Sequence, residues 1–375
     1  MNVLIVGAGK SPNVGDQLIE KVLGCTISEQ FGFVKTINYY DLSYGEYDIN
    51  FLHPEVDIST VKENKESSEK YYLPRFMKTL LSVKWNDNQT KDLVKKSDVV
   101  IIGGGHLLID NYGVFLLNII KITRLAKKYN KKVFFWSVGV GKTHSLIWKI
   151  LAKLYFSSIP LYTRDNISYK RAKKLGLNSI CSQLDPAFMI NAERKPTLNR
   201  KLGLFIMDPY EMVRHCDSEY KREDIADWWI ELIHVASKKF EEIEIFNNGS
   251  LQDFKFINKY ISPKIDLNLI KVNGRALSSD ILIEYVKKTD VILAQRLHAV
   301  IPSIAFGKKV LAIEWDDKLS NILADINFHE SLISYDLAPQ DVVDKLEIIA
   351  AESVELDLFE MKSRYIKNLA SELSI

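Results

Sequence analysis

The sequence has little cysteine and no dominant charge. It contains three cysteines in 375 residues, Cys25, Cys181 and Cys216, and none of them has the C-x-x-C spacing of a zinc or redox motif. We therefore expect neither a disulfide framework nor a metal site. Fifty Lys and Arg against 48 Asp and Glu leave a net charge of only +2. This balance argues against a protein whose main partner is nucleic acid.

Long hydrophobic runs are also missing. Lys121, Lys149 and Lys153 interrupt the two most apolar stretches, so no segment has the length that a membrane-spanning helix needs. The opening residues MNVLIVG carry no basic segment and too short an apolar core for a signal peptide, and we predict that they form a β-strand. With a hydrophobic content of 47%, the sequence predicts a globular, cytoplasmic protein.

Short β-branched runs alternate with longer stretches of helical spacing. This pattern is typical of an α/β protein whose parallel strands are covered by helices on both faces. It predicts two doubly wound, Rossmann-like parallel-sheet domains facing an interdomain cleft, which is the usual place for a ligand. The predicted strands are residues 2–6, 34–39, 98–102, 132–138, 161–163 and 179–182, followed by 202–207, 243–246, 266–271, 290–294 and 309–313.

A polar segment with a proline, near residues 191–200, suits a linker between the two domains. We therefore predict an N-terminal domain over residues 1–192 and a C-terminal domain over 201–350. The helical spacing at the end of the chain predicts a helix within 351–375 that packs back on the first domain. Residues 44–72 are polar and fit neither pattern, and they are expected to be mobile.

Two glycine-rich turns follow predicted strands. Residues 7–16, GAGKSPNVGD, open a predicted helix, and a helix N-terminus attracts anions. The segment is not a dinucleotide fingerprint, because Pro12 occupies the position of the third glycine. The second turn, Gly103-Gly104-Gly105, lets the backbone approach a ligand closely and is followed by His106 and Asp110. A purely structural strand-to-helix turn explains these glycines equally well.

Basic residues follow two neighbouring strands near the end of the second domain. Arg296, Leu297 and His298 come after the strand 290–294, and Lys318 comes after the strand 309–313. The carboxyl ends of parallel strands meet at one edge of a sheet, and Arg and Lys pair there with carboxylates or phosphates. Each residue alone could be a surface ion pair or a buried structural histidine, but together they predict an anion pocket.

In this order and spacing, the motifs resemble the polysaccharide pyruvyl transferase family. The resemblance rests on Asn13-Val14-Gly15-Asp16, Gly103-Gly104-Gly105, Arg164-Asp165-Asn166-Ile167-Ser168, Asp185-Pro186, Arg296-Leu297-His298 and Lys318. Gln295 stands where a smaller residue is expected, and Trp315 is the aromatic residue expected before the final lysine. The resemblance implies a GT-B-like fold. It also implies transfer of the pyruvyl group of phosphoenolpyruvate to two hydroxyls of a sugar in a cell-surface polysaccharide precursor, as in a capsule or exopolysaccharide, forming a ketal.

The resemblance also assigns roles to residues. The donor phosphoenolpyruvate, with no other cofactor and no metal, would be bound in the C-terminal domain by Arg296, Leu297, His298 and Lys318, with Arg164 as a further cation. His298 would act as the acid or the phosphate partner. Asp16, or less favourably Asp110, would take a hydroxyl proton or bind the acceptor. The expected acceptor-binding residues in the N-terminal domain are Asn13, Gly15, Asp16, Gly103, Gly104, Gly105 and Asp110.

The charge is unevenly distributed. Between Asp110 and Asp165 the chain has ten basic residues and no acidic one. The apolar segment 146–156 within this stretch predicts a helix, and burial is its favoured interpretation. We also consider that the basic region 121–153 touches the anionic inner face of the cytoplasmic membrane, or the diphosphate of a lipid-linked sugar acceptor.

Two other interpretations stay open at this point. A GT-B glycosyltransferase that uses a nucleotide sugar would bind a nucleoside diphosphate with the same phosphate-binding features. A non-catalytic sugar-binding or assembly protein would keep its function when Arg296 and His298 are both replaced. Titration with phosphoenolpyruvate and with nucleoside diphosphates separates the two enzymes.

Overall fold

The computed structural model describes residues 1–9, 13–32, 35–41, 88–109, 113–142, 145–190, 200–210, 212–213, 220–351 and 358–374. The predicted mobile segment 44–72, the linker residues 191–199 and the candidate Asp110 lie outside these described residues. No helix within them is long and apolar enough to cross a membrane.

By its internal packing the chain divides into two compact units, and neither is one continuous stretch. The first unit contains residues 1–11, 27–183 and 370–375, and the second contains 12–26 and 184–369. Residues 12–26, which sequence order alone would put in the first domain, therefore pack in the second unit. The reason for this placement lies in the contacts of Val14 and Gly15 described below.

The first unit is built on six parallel strands in the order β2-β1-β3-β4-β5-β6. The chain reverses its direction of winding between β1 and β3, which neighbour each other in the sheet. Its strands are β1 (Asn2–Gly7), β2 (Lys35–Asp41), β3 (Val99–Gly103), β4 (Lys132–Val138), β5 (Leu161–Thr163) and β6 (Ser179–Ser182). β4, β5 and β6 have the predicted bounds.

Helices cover this sheet because its strands are apolar on both faces. The core combines Val100 and Ile102 of β3 with Phe135 of β4 and with Trp148 from a helix. The helices of this half of the chain are α1 (Val14–Gln30), α2 (Asn88–Lys96), α3 (Gly113–Lys128), α4 (Leu146–Phe156) and α5 (Asn166–Lys174).

The second unit has its own sheet of six parallel strands, in the order β12-β11-β10-β7-β8-β9. This is the Rossmann order, with the winding reversed between β7 and β10. The strands are β7 (Lys201–Phe205), β8 (Glu242–Phe246), β9 (Ile270–Val272), β10 (Val291–Ala294), β11 (Lys309–Ile313) and β12 (Leu332–Ile333). The predicted α/β class with two doubly wound parallel sheets is confirmed, although the sequence does not predict the two-residue β12.

The core of the second unit lies between this sheet and its helices, with Trp229 fully buried beside Leu204 and Leu293. Its helices are α6 (Arg222–Ala236), α7 (Leu251–Phe256), α8 (Ser279–Lys287), α9 (Leu297–Ala305), α10 (Asp317–Asp325), α11 (Pro339–Ala351) and α12 (Phe359–Leu373). The last residues of α12 belong to the first unit. There Glu372 accepts a hydrogen bond of 2.8 Å from the Tyr162 hydroxyl and pairs with Lys132 at 3.2 Å.

Candidate functional site

The carboxyl ends of β7, β10 and β11 form the centre of the candidate site. Gln295, directly after β10, is fully buried, and its side-chain oxygen accepts a hydrogen bond of 2.9 Å from the backbone N–H of Met207. The carbonyl of Gln295 accepts a bond of 2.8 Å from the indole N–H of Trp315. Gln295 and Trp315 thus fix three strand ends to one another, at the point where α/β sheets bind ligands.

Arg296 follows Gln295 and stands just before α9. Its Nε and Nη2 donate to the two carboxylate oxygens of Asp253, at 3.1 and 2.9 Å. Asp253 is completely buried; burial raises the pKa of its carboxyl, and the Arg296 guanidinium opposes this rise. The bidentate pair fixes the plane of the guanidinium.

A second carboxylate–guanidinium pair supports the first. Arg222 of α6 donates from Nε and Nη2 to Asp208, at 2.9 and 2.8 Å. The backbone N–H of Asp208 in turn donates to Asp253 at 3.0 Å. The network therefore supports Arg296 through Asp253 of α7, Asp208 after β7 and Arg222 of α6.

His298 lies in the first turn of α9 and is nine-tenths buried. Its Nε2 is 4.0 Å from a carboxylate oxygen of Asp185, which is an ion-pair distance rather than a hydrogen bond. Asp185 is fully buried, and its other oxygen caps the short helical turn Pro186–Met189 by accepting from Ala187 N–H at 3.0 Å. A carboxylate at this distance stabilises an imidazolium by Coulomb attraction.

The start of α1 packs on the opposite side of the His298 ring. A Cβ atom on Gly15 would lie 2.2 Å from Nδ1 of His298, so only glycine fits there. Asn13 caps the helix, since its side-chain oxygen accepts from Gly15 N–H at 3.0 Å and its carbonyl accepts from Asp16 N–H at 3.1 Å. The structure therefore brings Gly15 to His298 inside the second unit. Asn13 and Asp16 flank Gly15 at the start of the helix, where Asp16 is half-buried.

Lys318 and Leu297 complete the predicted donor set. Lys318 lies in the first turn of α10, half-exposed, with Nζ at 3.3 Å from Asp316. Asp316 also caps α10, accepting from the backbone N–H of Lys318 and of Leu319. Leu297 is half-buried between Arg296 and His298.

Arg275 is a residue that the sequence analysis missed. It follows β9 and is half-buried, and its Nε donates to the carbonyl of Gly249, after β8, at 2.6 Å. Gly249 in turn packs against Val14 of α1, next to Gly15. Among the described residues no carboxylate lies within ion-pair distance of Arg275, and burial lowers the pKa of its guanidinium. Its position after a predicted strand is the signal that would have pointed to it.

The remaining candidates lie in the first unit. The turn Gly103–Gly105 follows β3 at the reversal point of the first sheet, and Gly104 and Gly105 have φ of 74° and 76°, a conformation that favours glycine. Arg164 is buried beside His106, with Nη2 at 3.3 Å from Nδ1 of His106. Arg164, which the resemblance assigns to the donor as a further cation, lies in the first unit, whereas Arg296 and Lys318 lie in the second, and its role stays a prediction. Within the described residues, no group of three or more His, Cys, Asp and Glu could hold a metal ion.

Solved structures that share the two parallel-sheet units of this chain are GT-B proteins. The UDP-GlcNAc 2-epimerase of Methanocaldococcus jannaschii is 11% identical with a TM-score of 0.56, covering 99% of this chain and 100% of its own. A putative UDP-N-acetylglucosamine 2-epimerase of Listeria monocytogenes is 8% identical with a TM-score of 0.57, covering 100% and 96%. S. aureus MnaA, in a co-structure with UDP, is 11% identical with a TM-score of 0.55, covering 100% and 97%. These likenesses establish the GT-B-like fold.

The sequence identifies the family more narrowly. The family model "Polysaccharide pyruvyl transferase" matches residues 13–317. The match runs from the cap of α1 to the residue before Lys318, so it includes Gly15, Arg275, Arg296 and His298. The chain belongs to the polysaccharide pyruvyl transferase family, as the motifs indicated. No curated protein matches the sequence significantly.

Proposed function

We propose that the chain transfers the pyruvyl group of phosphoenolpyruvate to two hydroxyls of a sugar in a cell-surface polysaccharide precursor, giving a pyruvate ketal and inorganic phosphate. The observation that carries the proposal is the group of cations at the carboxyl edge of the second sheet, in a chain of this family. Arg296, Arg275 and Lys318 come from three strand ends, and the N-terminus of α1 adds its dipole.

This group of cations suits the donor. Phosphoenolpyruvate carries a carboxylate and a phosphate, and both pair with guanidinium groups by charge-assisted hydrogen bonds. Arg296 is held rigidly by Asp253, and Arg275 is fixed through Nε, so both present oriented N–H donors. His298 of α9, which is buried against the start of α1, would contribute a further positive group when protonated.

The reaction balances without a further co-reactant. A proton adds to the methylene carbon of phosphoenolpyruvate and makes C2 an oxocarbenium-like centre. One sugar hydroxyl bonds to C2 and loses its proton; the bond between C2 and the phosphate oxygen breaks, and phosphate leaves with the electron pair. The second hydroxyl then bonds to C2 and loses its proton. Of these two protons, one replaces the proton given to the methylene carbon and the other leaves with phosphate.

Two residues on this edge could move these protons. His298, with Asp185 behind its Nε2, is our candidate for the acid or the phosphate partner. Asp16, half-buried in the first turn of α1, is the candidate that receives a hydroxyl proton or binds the acceptor. The acceptor sugar, which we propose to be lipid-linked, would contact the glycine turn Gly103–Gly105.

The first test is thermal-shift titration with phosphoenolpyruvate and, separately, with a panel of nucleoside diphosphates. At a hundredfold excess over Kd a donor should stabilise the fold by about 2.7 kcal/mol. Arg296→Lys keeps a cation beside the buried Asp253, so it tests donor binding without leaving that carboxylate unpaired. Arg200→Gln is the control, because Arg200 precedes β7 and pairs with Glu347 at 3.1 Å, at the opposite edge of the sheet.

We expect phosphoenolpyruvate to stabilise the wild type and Arg200→Gln, and to lose most of its effect in Arg296→Lys. Stabilisation by a nucleoside diphosphate alone would instead support the glycosyltransferase. Equal stabilisation of all three proteins would remove Arg296 from the donor site.

A further inference from the structure

Helix α4 of the first unit is apolar on two opposite faces. Trp148, Ala152 and Phe156 repeat every four residues and are buried. Leu146, Ile150 and Leu154 have the same spacing but are 69%, 56% and 68% exposed, and Ile147 lies beside them. We call these four exposed residues the outer stripe. The expectation that this helix is buried therefore holds for one face only.

The outer stripe is a continuous row of aliphatic side chains along the whole helix. Single exposed apolar residues are common on protein surfaces, but a contiguous apolar row marks a surface that meets another apolar phase. At 11 residues α4 is too short to cross a bilayer. Helix α4 can therefore only lie parallel to an apolar surface, with the outer stripe against that surface.

The surroundings of the outer stripe are basic. Lys149 and Lys153 belong to the same helix. The side chain of Lys153 extends over Gly176, since a Cβ atom added to Gly176 would lie 3.4 Å from Cε of Lys153. Gly176 follows α5, whose last turn carries Arg171, Lys173 and Lys174. The cations of α5 thus adjoin those of α4.

Acidic side chains are almost missing from this part of the chain. Residues 111–184 contain fourteen Lys and Arg and a single acidic residue, Asp165. Asp165 is buried and caps α5, accepting from Ser168 N–H at 2.6 Å. Its charge is therefore taken up within the fold. Among the described residues no carboxylate pairs with Lys149, Lys153, Lys173 or Lys174, and these four lysines form the basic rim of the stripe.

We propose that the outer stripe and its basic rim are a docking surface for an anionic lipid bilayer. The aliphatic side chains would enter the boundary between headgroups and acyl chains, while the lysine ammonium groups reach the lipid phosphates. Charge complementarity selects this occupant. A second copy of the chain would bring a second set of cations against the first, with no acid between them. The proposal does not depend on the donor or the reaction.

The test is co-flotation of the full-length protein with vesicles of phosphatidylglycerol and phosphatidylcholine, or of phosphatidylcholine alone, at low and at physiological salt. Leu146→Gln/Ile150→Gln/Leu154→Gln, the stripe variant, replaces three of the four residues of the outer stripe and leaves the charges unchanged. Lys149→Gln/Lys153→Gln removes two charges and leaves the stripe. The matched control is Leu267→Gln/Leu269→Gln, which replaces two leucines of the second unit that are 59% and 68% exposed. Circular dichroism and thermal melting check that each variant is folded.

The wild type and the control should float with anionic vesicles and not with neutral ones, less so at higher salt. The stripe variant should partition into anionic vesicles about tenfold less than the wild type. The lysine variant should partition about thirtyfold less, because each basic side chain near an anionic surface contributes roughly a fivefold factor. The proposal is wrong if the wild type does not float at low salt, or if the stripe variant floats as well as the wild type. It is also wrong if the wild type is a dimer that the stripe variant breaks and neither binds vesicles.

Discussion

His298 is held in place from two sides, and this restriction explains two of the family motifs at once. Asp185 faces one ring nitrogen at 4.0 Å, and the backbone of Gly15 lies against the other. Both ring nitrogens therefore face residues of this chain, which restricts the position of the ring. The motifs that contain Asp185, Gly15 and His298 are far apart in sequence, but they meet around one imidazole.

Gly15→Ala should displace this ring. The added Cβ would overlap Nδ1 at 2.2 Å, so either His298 or the start of α1 must move. Because a misplacement of about 1 Å costs roughly a hundredfold in rate, we expect a loss of that order in phosphate release from phosphoenolpyruvate in the presence of acceptor. Gly32→Ala is the matched control, since nothing lies within 4 Å of its added Cβ. Equal activity of both variants would show that the position of His298 is not critical.

Arg275→Gln should weaken phosphoenolpyruvate binding and leave stability unchanged. A hydrogen bond to a charged group contributes about 1.5–3 kcal/mol, which is roughly a 10- to 100-fold change in Kd. The melting temperature should stay the same, because no described carboxylate within ion-pair distance loses its partner. Isothermal titration measures both the wild type and the variant, with Arg200→Gln as the control. An unchanged Kd would exclude Arg275 from the donor site.

At the scale of elements, a network of ion pairs and hydrogen bonds connects β7, β8 and the residue after β9. Lys201 of β7 pairs with Glu242 and Glu244 of β8, at 2.7 and 2.6 Å. Glu244 also accepts from Asn273, after β9, at 2.8 Å. The network fixes the register of the two strands whose loops hold Gly249 and Arg275.

Acid should weaken this network. Burial alone would raise the pKa of Glu244, but hydrogen bonds from Lys201 and Asn273 outweigh it, and the pKa is lowered from 4.5. A lowered pKa gives stability that is present above the ordinary value and lost as the pH falls through the folded-state value. Glu244→Gln should therefore cost about 2 kcal/mol of unfolding free energy at pH 7, and less in acid. Urea unfolding across this pH range measures the difference.

Glu242→Gln provides the comparison, because Glu242 pairs with the same lysine while its side chain is 61% exposed. An exposed pair contributes only about 0.2–1 kcal/mol. If the two variants lose the same free energy, or if the loss from Glu244→Gln does not shrink in acid, the buried carboxylate has no special role.

At the scale of the whole molecule, the two units have different characters. In the second unit Arg296, at the carboxyl end of β10, is fixed by the buried carboxylate of Asp253, an arrangement suited to a small anion. The cations of the first unit border an apolar stripe and have hardly any acidic neighbours in sequence, an arrangement suited to an extended surface. A net charge of only +2 conceals this division.

Hydrogen exchange with and without phosphoenolpyruvate should show which unit binds the donor and which binds the acceptor. We expect slower exchange in residues 13–17, 247–250, 273–276 and 295–298, because a bound anion would hold these loops closed. Residues 103–109 of the first unit should not change until an acceptor sugar is added. Protection confined to the first unit would reverse the proposed assignment of donor and acceptor.

The sequence by itself determined the α/β class and most of the strands. Strands buried on both faces are continuous apolar runs, so β4, β5, β6 and β11 could be predicted to the residue. Strand order in sequence also placed Arg296, His298 and Lys318 at one sheet edge. Short strands with few apolar residues were harder: β9 begins at Ile270 rather than 266, and the two residues of β12 give no periodicity.

Only the tertiary structure decided how distant segments combine. Nothing in the local pattern of residues 12–26 shows that they pack with the second half of the chain, because that follows from one close contact between Gly15 and His298. The candidate role of Arg275 depends on tertiary contacts, because within the described residues carboxylates pair with Arg222, Arg296 and Lys318 and none pairs with Arg275. Helical spacing shows that α4 has two apolar faces, but which face is covered depends on the neighbours that the fold supplies.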